Sequence, residues 1–163
     1  MSAAPPPAPA QPPSWHLRPS TDADLEPLAD LRAVVMRPDL ERLGRYDEHR
    51  VRQRLRDSFS TAHTAIIVVG DDVAGSVTLR PAEGGGQVLE HFYLAPRHQG
   101  RGLGSDVLRA VLAQADARGQ TVRLNVLQGS PARRLYARHG FTVESEDPVD
   151  VFMTRPPATT PAA

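Results

Sequence analysis

Residues 99–104 read QGRGLG and lie between an apolar run, VLEHFYLAP, and a helical stripe, LGSDVLRAVLAQA. A strand that runs straight into a helix leaves the first backbone N–H groups of that helix unpaired and aimed into the turn. Glycines let an anion approach that backbone closely, and the helix dipole adds to the attraction. The ligand expected on these grounds is a phosphate or pyrophosphate, with Arg97 or Arg101 placed to join it. The familiar nucleotide motifs fit badly: the spacing is not G-x-G-x-x-G, and a Walker loop needs a lysine, which this chain lacks throughout. Glycines at such a turn can also be purely structural.

Upstream of the turn, Glu90 interrupts the apolar run VLEHFYL. An unpaired carboxylate is costly there, and burial disfavours its charged form, which makes Glu90 a candidate general base. The alternative is a structural ion pair with a neighbouring arginine. His91 points to the opposite face from Glu90 if the strand is regular. His91 and His98 are seven apart across a turn with no third ligand nearby, so no metal site is expected.

The elements that must position these residues belong to one domain. A chain of 163 residues is long enough for one real core and hardly for two. Lys+Arg and Asp+Glu both number 19, so no net field recruits nucleic acid or an anionic membrane. The absence of cysteine excludes disulfides, thiolate metal sites and a cysteine-linked intermediate, and the absence of lysine removes a Schiff-base nucleophile. Residues 1–14 and 156–163 are rich in proline and small residues and read as disordered tails around a domain spanning 15–155. The first tail has no basic and apolar signal regions, and no run approaches a membrane span. A soluble, cytoplasmic protein is expected.

Within the domain, a first strand covers 15–18, and Asp24 caps a helix with Pro27 in its first turn and Leu25, Leu28, Leu31 and Val35 as its stripe. A second helix spans about 48–59, with Val51, Leu55 and Phe59 inward. TAIIVVG and VAGSVTLR form a hairpin, and a longer strand spans 87–94. A helix carrying Leu103, Val107, Leu108, Val111, Leu112 and Ala115 follows, stopped by Gly119. TVRLNVL is the next strand. Ser130 caps a short helix with Pro131 first and Gly140 last, and two strands around SEDP close the chain. The order is β-α-α-β-β-β-α-β-α-β-β, an α/β fold with a mixed sheet and helices on both faces.

Gln99, Gly102 and Gly104 match the Q/R-x-x-G-x-G/A signature of the GCN5-related N-acetyltransferases (GNAT), and LNVLQGSPARRLYARHGF resembles that family's second motif. The resemblance covers about 16–155. It implies the acyl-CoA N-acyltransferase fold, a mostly antiparallel mixed sheet splayed between its fourth and fifth strands. It also implies that the anion is the pyrophosphate of acetyl-CoA, held by N–H groups of Gln99, Gly100, Arg101, Gly102, Leu103 and Gly104 with help from Ser105. The pantetheine arm then pairs with the free edge of the strand at Phe92, Tyr93 and Leu94, and an N–H near Tyr93 or Leu94 holds the thioester oxyanion. Glu90 falls at the family's base position, acting directly or through a water. Tyr136 matches the tyrosine that faces the coenzyme sulfur as general acid; its spacing equally suits a core aromatic. Asn125 is implied as a hydrogen-bonding partner of the pantetheine or the splayed backbone, the alternative being a satisfied internal amide. Ser130 and Arg133 are implied coenzyme contacts; the family often has asparagine where this chain has Ser130.

The activity implied is direct acetyl transfer to a primary amine in a ternary complex. The alternatives are a catalytically silent acyl-CoA sensor on the same fold and a nucleotide-binding regulator using the same turn. The acceptor is a small amine or a peptide amine. Arg50, Arg52, Arg54 and Arg56 suit an anionic one, and Glu144, Glu146, Asp147 and Asp150 a cationic one, although such runs are commonly solvated faces. No nucleic acid or membrane partner is expected, and a homodimer is left open.

Overall fold

The computed structural model describes residues 3–6 and 14–159. Most of the N-terminal tail expected above, and residues 160–163 of the C-terminal one, lie outside the described residues. Strand β1 (Trp15–Pro19) leads through a 3-10 turn into α1 (Leu25–Arg42) and α2 (Glu48–Ser58). The antiparallel strands β2 (Thr64–Val69), β3 (Asp72–Pro81) and β4 (Gln87–Leu94) follow, then α3 (Leu103–Ala117), β5 (Val122–Leu127), α4 (Ala132–Arg138), β6 (Thr142–Glu146) and β7 (Asp150–Arg155). They form one sheet in the order β1-β2-β3-β4-β5-β7-β6. Only the β4–β5 pair is parallel among the described strands.

The two sheet faces are read from alternating residues. Ile67, Val77, Leu89, Val122, Leu124 and Met153 pack against the buried stripe of α3, Leu103, Val107, Leu108, Val111, Leu112 and Ala115. A fully buried leucine or valine contributes about 1.5–3 kcal/mol, so this face carries most of the core. Ile66 and Val68 turn the other way, under Leu28 and Ala29 of α1 and Leu55 of α2.

Capping differs from expectation at two helices. Asp24 occupies the N-cap position of α1 but makes no side-chain cap bond. Its carboxylate instead accepts from the Thr21 N–H at 2.8 Å and from Arg18 at 2.8 and 3.0 Å, which locks the preceding turn to β1. The buried face of α1 is Leu28, Ala29, Arg32 and Ala33, while Leu25 and Leu31 are only half-buried. The alanines let that face approach the sheet, so the contact stripe is turned away from the expected Leu31 and Val35. Helix α4 starts one residue late, with Pro131 at the cap position, and Ser130 Oγ accepts from the Ala132 N–H at 3.3 Å.

Strand β4 positions the site, and it is irregular. Its register to β3 passes from Ser76↔Tyr93 to Thr78↔Glu90, so β4 carries one extra residue. That bulge falls at His91, whose φ of 48° makes it the one non-glycine residue with positive φ among the described residues. Leu89, Phe92 and Leu94 face α3, whereas Glu90, His91 and Tyr93 all face α1 and α2. The expectation that His91 opposes Glu90 is therefore corrected. Ser76 Oγ donates to the His91 carbonyl at 2.7 Å, satisfying an acceptor the bulge takes out of the ladder. Gly75 is demanded by the same distortion, because a Cβ there would lie 1.8 Å from the Tyr93 carbonyl oxygen.

The connection from β4 to α3 is tied down by Asp72. Its carboxylate accepts from Arg97 at 2.9 and 3.1 Å and from His98 Nε2 at 2.7 Å. These hydrogen bonds pull the Asp72 pKa down to about 2 from the ordinary carboxylate value.

The close approach at Gly75 and the clamp at Asp72 can both be tested through stability. Gly75→Ala should cost at least about 3 kcal/mol in urea unfolding, the upper range for overpacking, because the clash is with backbone rather than with a side chain able to rotate. The lowered pKa of Asp72 means its contribution is fully present above the ordinary value near 4 and disappears as pH falls through about 2. Asp72→Asn should thus lower Tm at pH 7, with the difference from wild type shrinking between about pH 4 and pH 2. A pH-independent difference in thermal melts would contradict the pairing.

Candidate active site

The turn between β4 and α3 presents a row of unpaired amides. The N–H groups of Gly100, Arg101, Gly102, Leu103, Gly104 and Ser105 have no hydrogen-bond acceptor among the described residues; the first helical bond of α3 is from Asp106 to the Gly102 carbonyl at 3.1 Å. Gly100 and Gly102 have φ of 74° and 82°, with nothing within 4 Å of the place a Cβ would occupy. A side chain is disfavoured there by backbone conformation, and the space is open to a ligand. This is the donor set for a multivalent anion.

Three details correct the expected anion site. The N–H of Gln99 is already used, donating to the Pro96 carbonyl at 3.2 Å, and its side-chain Nε2 donates to the Leu94 carbonyl at 2.8 Å. Gln99 thus braces the turn against β4 and offers the anion no amide. Arg97 is committed to Asp72. Ser105 Oγ is bonded to His139 Nε2 at 2.8 Å, linking the start of α3 to the end of α4, and its backbone N–H is unpaired. Burial lowers the pKa of His139, helped by the positive field of Arg109, Arg138 and Arg155. Arg101 is exposed and makes no ion pair among the described residues. The Leu103 side chain belongs to the core.

Beside the turn, the sheet opens. β4 and β5 pair only at Gln87↔Val122 and Val88↔Arg123, and from Leu89 onward the β5-facing edge of β4 has no strand partner. Phe92 and Leu94 lean onto α3 and α4, meeting Gly104 so closely that a Cβ there would lie 3.5 Å from Leu94 Cδ1 and 3.6 Å from Leu135 Cδ2. Tyr136 projects from α4 into the same region, its ring 6.5 Å from Phe92 and 5.7 Å edge-on from Phe141. The ring is buried, yet the hydroxyl has no hydrogen-bond partner among the described residues and is not among enclosed unsatisfied atoms, so it borders open space. Burial pushes its pKa well up, with an added push from the Tyr93 hydroxyl, and keeps it protonated at neutral pH.

Asn125 is exposed on the β5 face turned away from α3, where Nδ2 donates to Asp150 Oδ1 at 3.1 Å, which corrects the expectation of an internal amide; it lines a cavity with Val88 of β4 and Leu124 of β5. Strand alternation explains this: Leu124 and Val126 take the core face and Asn125 the other. Ser130 and Arg133 line a shallow depression with Gly129, Pro131 and Arg134 at the head of α4.

On the α1/α2 side of β4, Glu90 is paired. Its oxygens accept from Arg80 Nε at 2.6 Å and Nη2 at 3.3 Å, so the carboxylate is not the unpaired one expected. Each oxygen keeps a further lone pair, and the side chain is 22% exposed, within reach of a water. His91 lies alongside, its Nε2 4.0 Å from Glu90 Oε1. Four hydrogen bonds link the neighbours in a chain. Arg32 Nε donates to Tyr93 Oη at 2.9 Å, Tyr93 Oη meets His91 Nδ1 at 3.2 Å, His91 Nε2 meets Ser58 Oγ at 2.7 Å, and Ser58 Oγ donates to the Arg54 carbonyl at 2.9 Å. All four are satisfied together only if Tyr93 donates to Nδ1 and Nε2 carries the histidine proton. Burial lowers the His91 pKa, opposed by Glu90 and aided by Arg32, Arg80 and Arg54, so the ring stays neutral.

Arg32, Ser58 and Arg80 were not singled out as site residues by the sequence. Arg80 had a usable signal, since it lies two residues along β3 from Thr78, which pairs with Glu90; in an antiparallel hairpin that is diagonal reach. Arg32 and Ser58 come from separate helices and had none.

The chain matches the Acetyltransferase (GNAT) family over residues 28–141. No curated protein matches it significantly by sequence. Among solved structures it is similar to PaiA N-acetyltransferase from Thermoplasma acidophilum in complex with coenzyme A, at 21% identity and a TM-score of 0.70, covering 88% of this chain and 99% of that one. It is also similar to the ribosomal-protein-S18-alanine N-acetyltransferase from Escherichia coli, at 15% identity and a TM-score of 0.69, covering 90% and 96%. An acetyltransferase from Thermus thermophilus gives 20% and 0.68, covering 88% and 97%. At these identities the structural likeness speaks for the fold alone. The family match runs from within α1 through the amide-lined turn to Phe141 beyond α4, and by it the chain belongs to the Acetyltransferase (GNAT) family.

Proposed function

We propose that this protein moves an acetyl group from acetyl-CoA to a primary amine by direct attack within a ternary complex. The observation that carries the reading is the row of six unpaired amides ending beside the unpartnered edge of β4 and the unbonded Tyr136 hydroxyl. A pyrophosphate fits the amides by charge and by the open space at Gly100 and Gly102. Arg101 and Arg133 add cationic side chains near that end of the fold. The free edge of β4 offers main-chain groups to the amide-bearing pantetheine arm, with an N–H near Tyr93 or Leu94 aimed at the thioester carbonyl.

In this reading the neutral amine attacks the thioester carbonyl, Glu90 takes the amine's proton directly or through a water, and Tyr136 protonates the departing thiolate. Tyr136 arrives protonated, as a general acid must, while burial makes its hydroxyl a more reluctant donor than a free phenol. Nothing covalent forms on the protein, which has no cysteine. A catalytically silent acyl-CoA sensor is the second reading, and the two-point clamp of Arg80 on Glu90 favours it, since both carboxylate oxygens are already engaged by the guanidinium.

Calorimetry with acetyl-CoA, ATP and NAD tests the coenzyme, and thiol release with a panel of amines separates enzyme from sensor. Acetyl-CoA alone should bind, and at least one amine should release thiol; binding without release with any amine would leave the sensor. Tyr136→Phe should slow kcat at least about a hundredfold, the lower end of the range for general acid catalysis, with little change in coenzyme affinity. Equal losses of affinity and rate would contradict the acid role. Glu90→Gln should lower kcat/KM by about a hundredfold and alter its pH profile, and an unaltered profile would remove Glu90 as base.

A further inference from the structure

Arg32 is the only charged residue among the buried described residues, at 7% exposure. It sits in the apolar stripe of α1, between Leu28, Ala29 and Ala33, where an aliphatic side chain would fill the space without desolvating a charge. Its bonds go to neutral acceptors only: the Tyr93 hydroxyl through Nε and the Val51 carbonyl through Nη1. No carboxylate pairs with it among the described residues. Nη2 makes no hydrogen bond, yet no enclosed side-chain nitrogen lacks a partner, so this last donor opens to accessible space. A guanidinium held this way is costly unless an anion arrives to complete it.

Its surroundings carry the same sign. Arg32 bonds Tyr93, whose hydroxyl bonds His91; Arg80 pairs with Glu90 beside His91; and Arg54 stands one helical turn before Ser58, which also bonds His91. Of the three, only Arg80 has a carboxylate, Glu90. Elsewhere on α2 the arginines are neutralised, Arg52 by Asp30 and Glu48 and Arg56 by Glu26. Positive charge is thus left uncompensated beside the candidate base and nowhere else along that face of α2 except Arg50. Tyr93 and His91 join Arg32 to the candidate base: Arg32 Nε donates to Tyr93 Oη at 2.9 Å, Tyr93 Oη meets His91 Nδ1 at 3.2 Å, and His91 Nε2 lies 4.0 Å from Glu90 Oε1.

We propose that the acceptor is a small amine that carries its own carboxylate, and that Arg32 and Arg54 select it by binding that carboxylate while Glu90 faces the amine. Arg32 is then a specificity-determining residue: Nε and Nη1 hold it against Tyr93 and Val51, and Nη2 is left to make a charge-assisted hydrogen bond to substrate. The proposal rests on the acetyltransferase reading above and adds the chemical class of the acceptor.

Its test compares the standard L-amino acids with their α-amides, and with spermidine, as acceptors in thiol release, alongside calorimetry of coenzyme A and of N-acetyl amino acids on the coenzyme A complex. The wild type should favour at least one amino acid over its amide by about tenfold or more in kcat/KM, the worth of one charged hydrogen bond. In Arg32→Gln that ratio should fall to about one, through KM for the acceptor, with affinity for coenzyme A and Tm little changed. Arg32→Lys, which keeps the charge without the fork, should retain part of the preference. A preference for amides or spermidine, or an unchanged ratio in Arg32→Gln, would overturn the proposal. So would coenzyme binding with neither an amino acid acetylated nor an N-acetyl amino acid bound. If instead coenzyme A fails to bind, the acetyltransferase reading itself falls. Should Arg32→Gln not fold, Arg54→Gln carries the same comparison from an exposed position.

Discussion

β4 and β5 stay together for two residue pairs and then part, and the rest of the site is arranged around that gap. Parallel strands in the middle of a sheet normally satisfy each other's amides along their length. Here the ladder ends after Val88↔Arg123, and the main-chain groups of β4 that face β5 are left for something else. Beyond the point of parting, β4 carries an extra residue at His91 relative to β3. Bulges sharpen twist, and Gly75 on β3 lets the Tyr93 carbonyl come in where any side chain would stand. The left-handed backbone at His91 costs about 1–3 kcal/mol in a non-glycine residue. Ser76, Ser58 and Tyr93 all bond to that residue, and at about 0.5–1.5 kcal/mol each such bonds are of the size needed to hold it.

The bulge also redistributes side chains. A regular strand would put Glu90 and His91 on opposite faces; one extra residue puts Glu90, His91 and Tyr93 on the α1/α2 face together and returns Phe92 and Leu94 to the core. The α1/α2 face thereby gains three polar groups in four positions, and the helices above supply Arg32, Arg54 and Ser58 to meet them. Anion-directed donors at the other end of the gap are of another kind, backbone amides at the head of α3. Main-chain amides are unpaired at the head of α3, and guanidinium groups gather on the α1/α2 face of β4.

What the sequence made legible was local. The β-strand alternation, the α3 stripe and the glycines of the turn all express rules that act over a few residues, and Gly100 and Gly102 do have the positive φ that explains them. The turn's supporting bonds were not legible, because Gln99 serves through its side chain and Arg97 is drawn back to a residue 25 positions away. The bulge was hidden because the residue with positive φ is a histidine, with no glycine to mark it. Asn125 looked internal because its neighbours are apolar, but period-two alternation places it outside, and that rule was available. Arg32 lay in a helix whose apolar stripe was assigned to other positions, so a buried arginine had no sequence signature at all.

In the proposed reaction the gap also sorts protons by face. Glu90 stands on the α1/α2 side of β4, and Tyr136 reaches the same gap from the α3 side. A tetrahedral centre formed between them has its amine toward one layer of helices and its sulfur toward the other. Proton removal and proton delivery then fall to different groups, and neither has to be both base and acid within one turnover. Their environments differ accordingly: a partly exposed pair with a guanidinium for the carboxylate, and a nearly dry aromatic pocket for the phenol, which holds its proton until a stronger base appears. A thiolate released into that pocket has its basicity raised by the same burial, and the hydroxyl of Tyr136, still carrying its proton, is the donor that meets it with a hydrogen bond as it leaves.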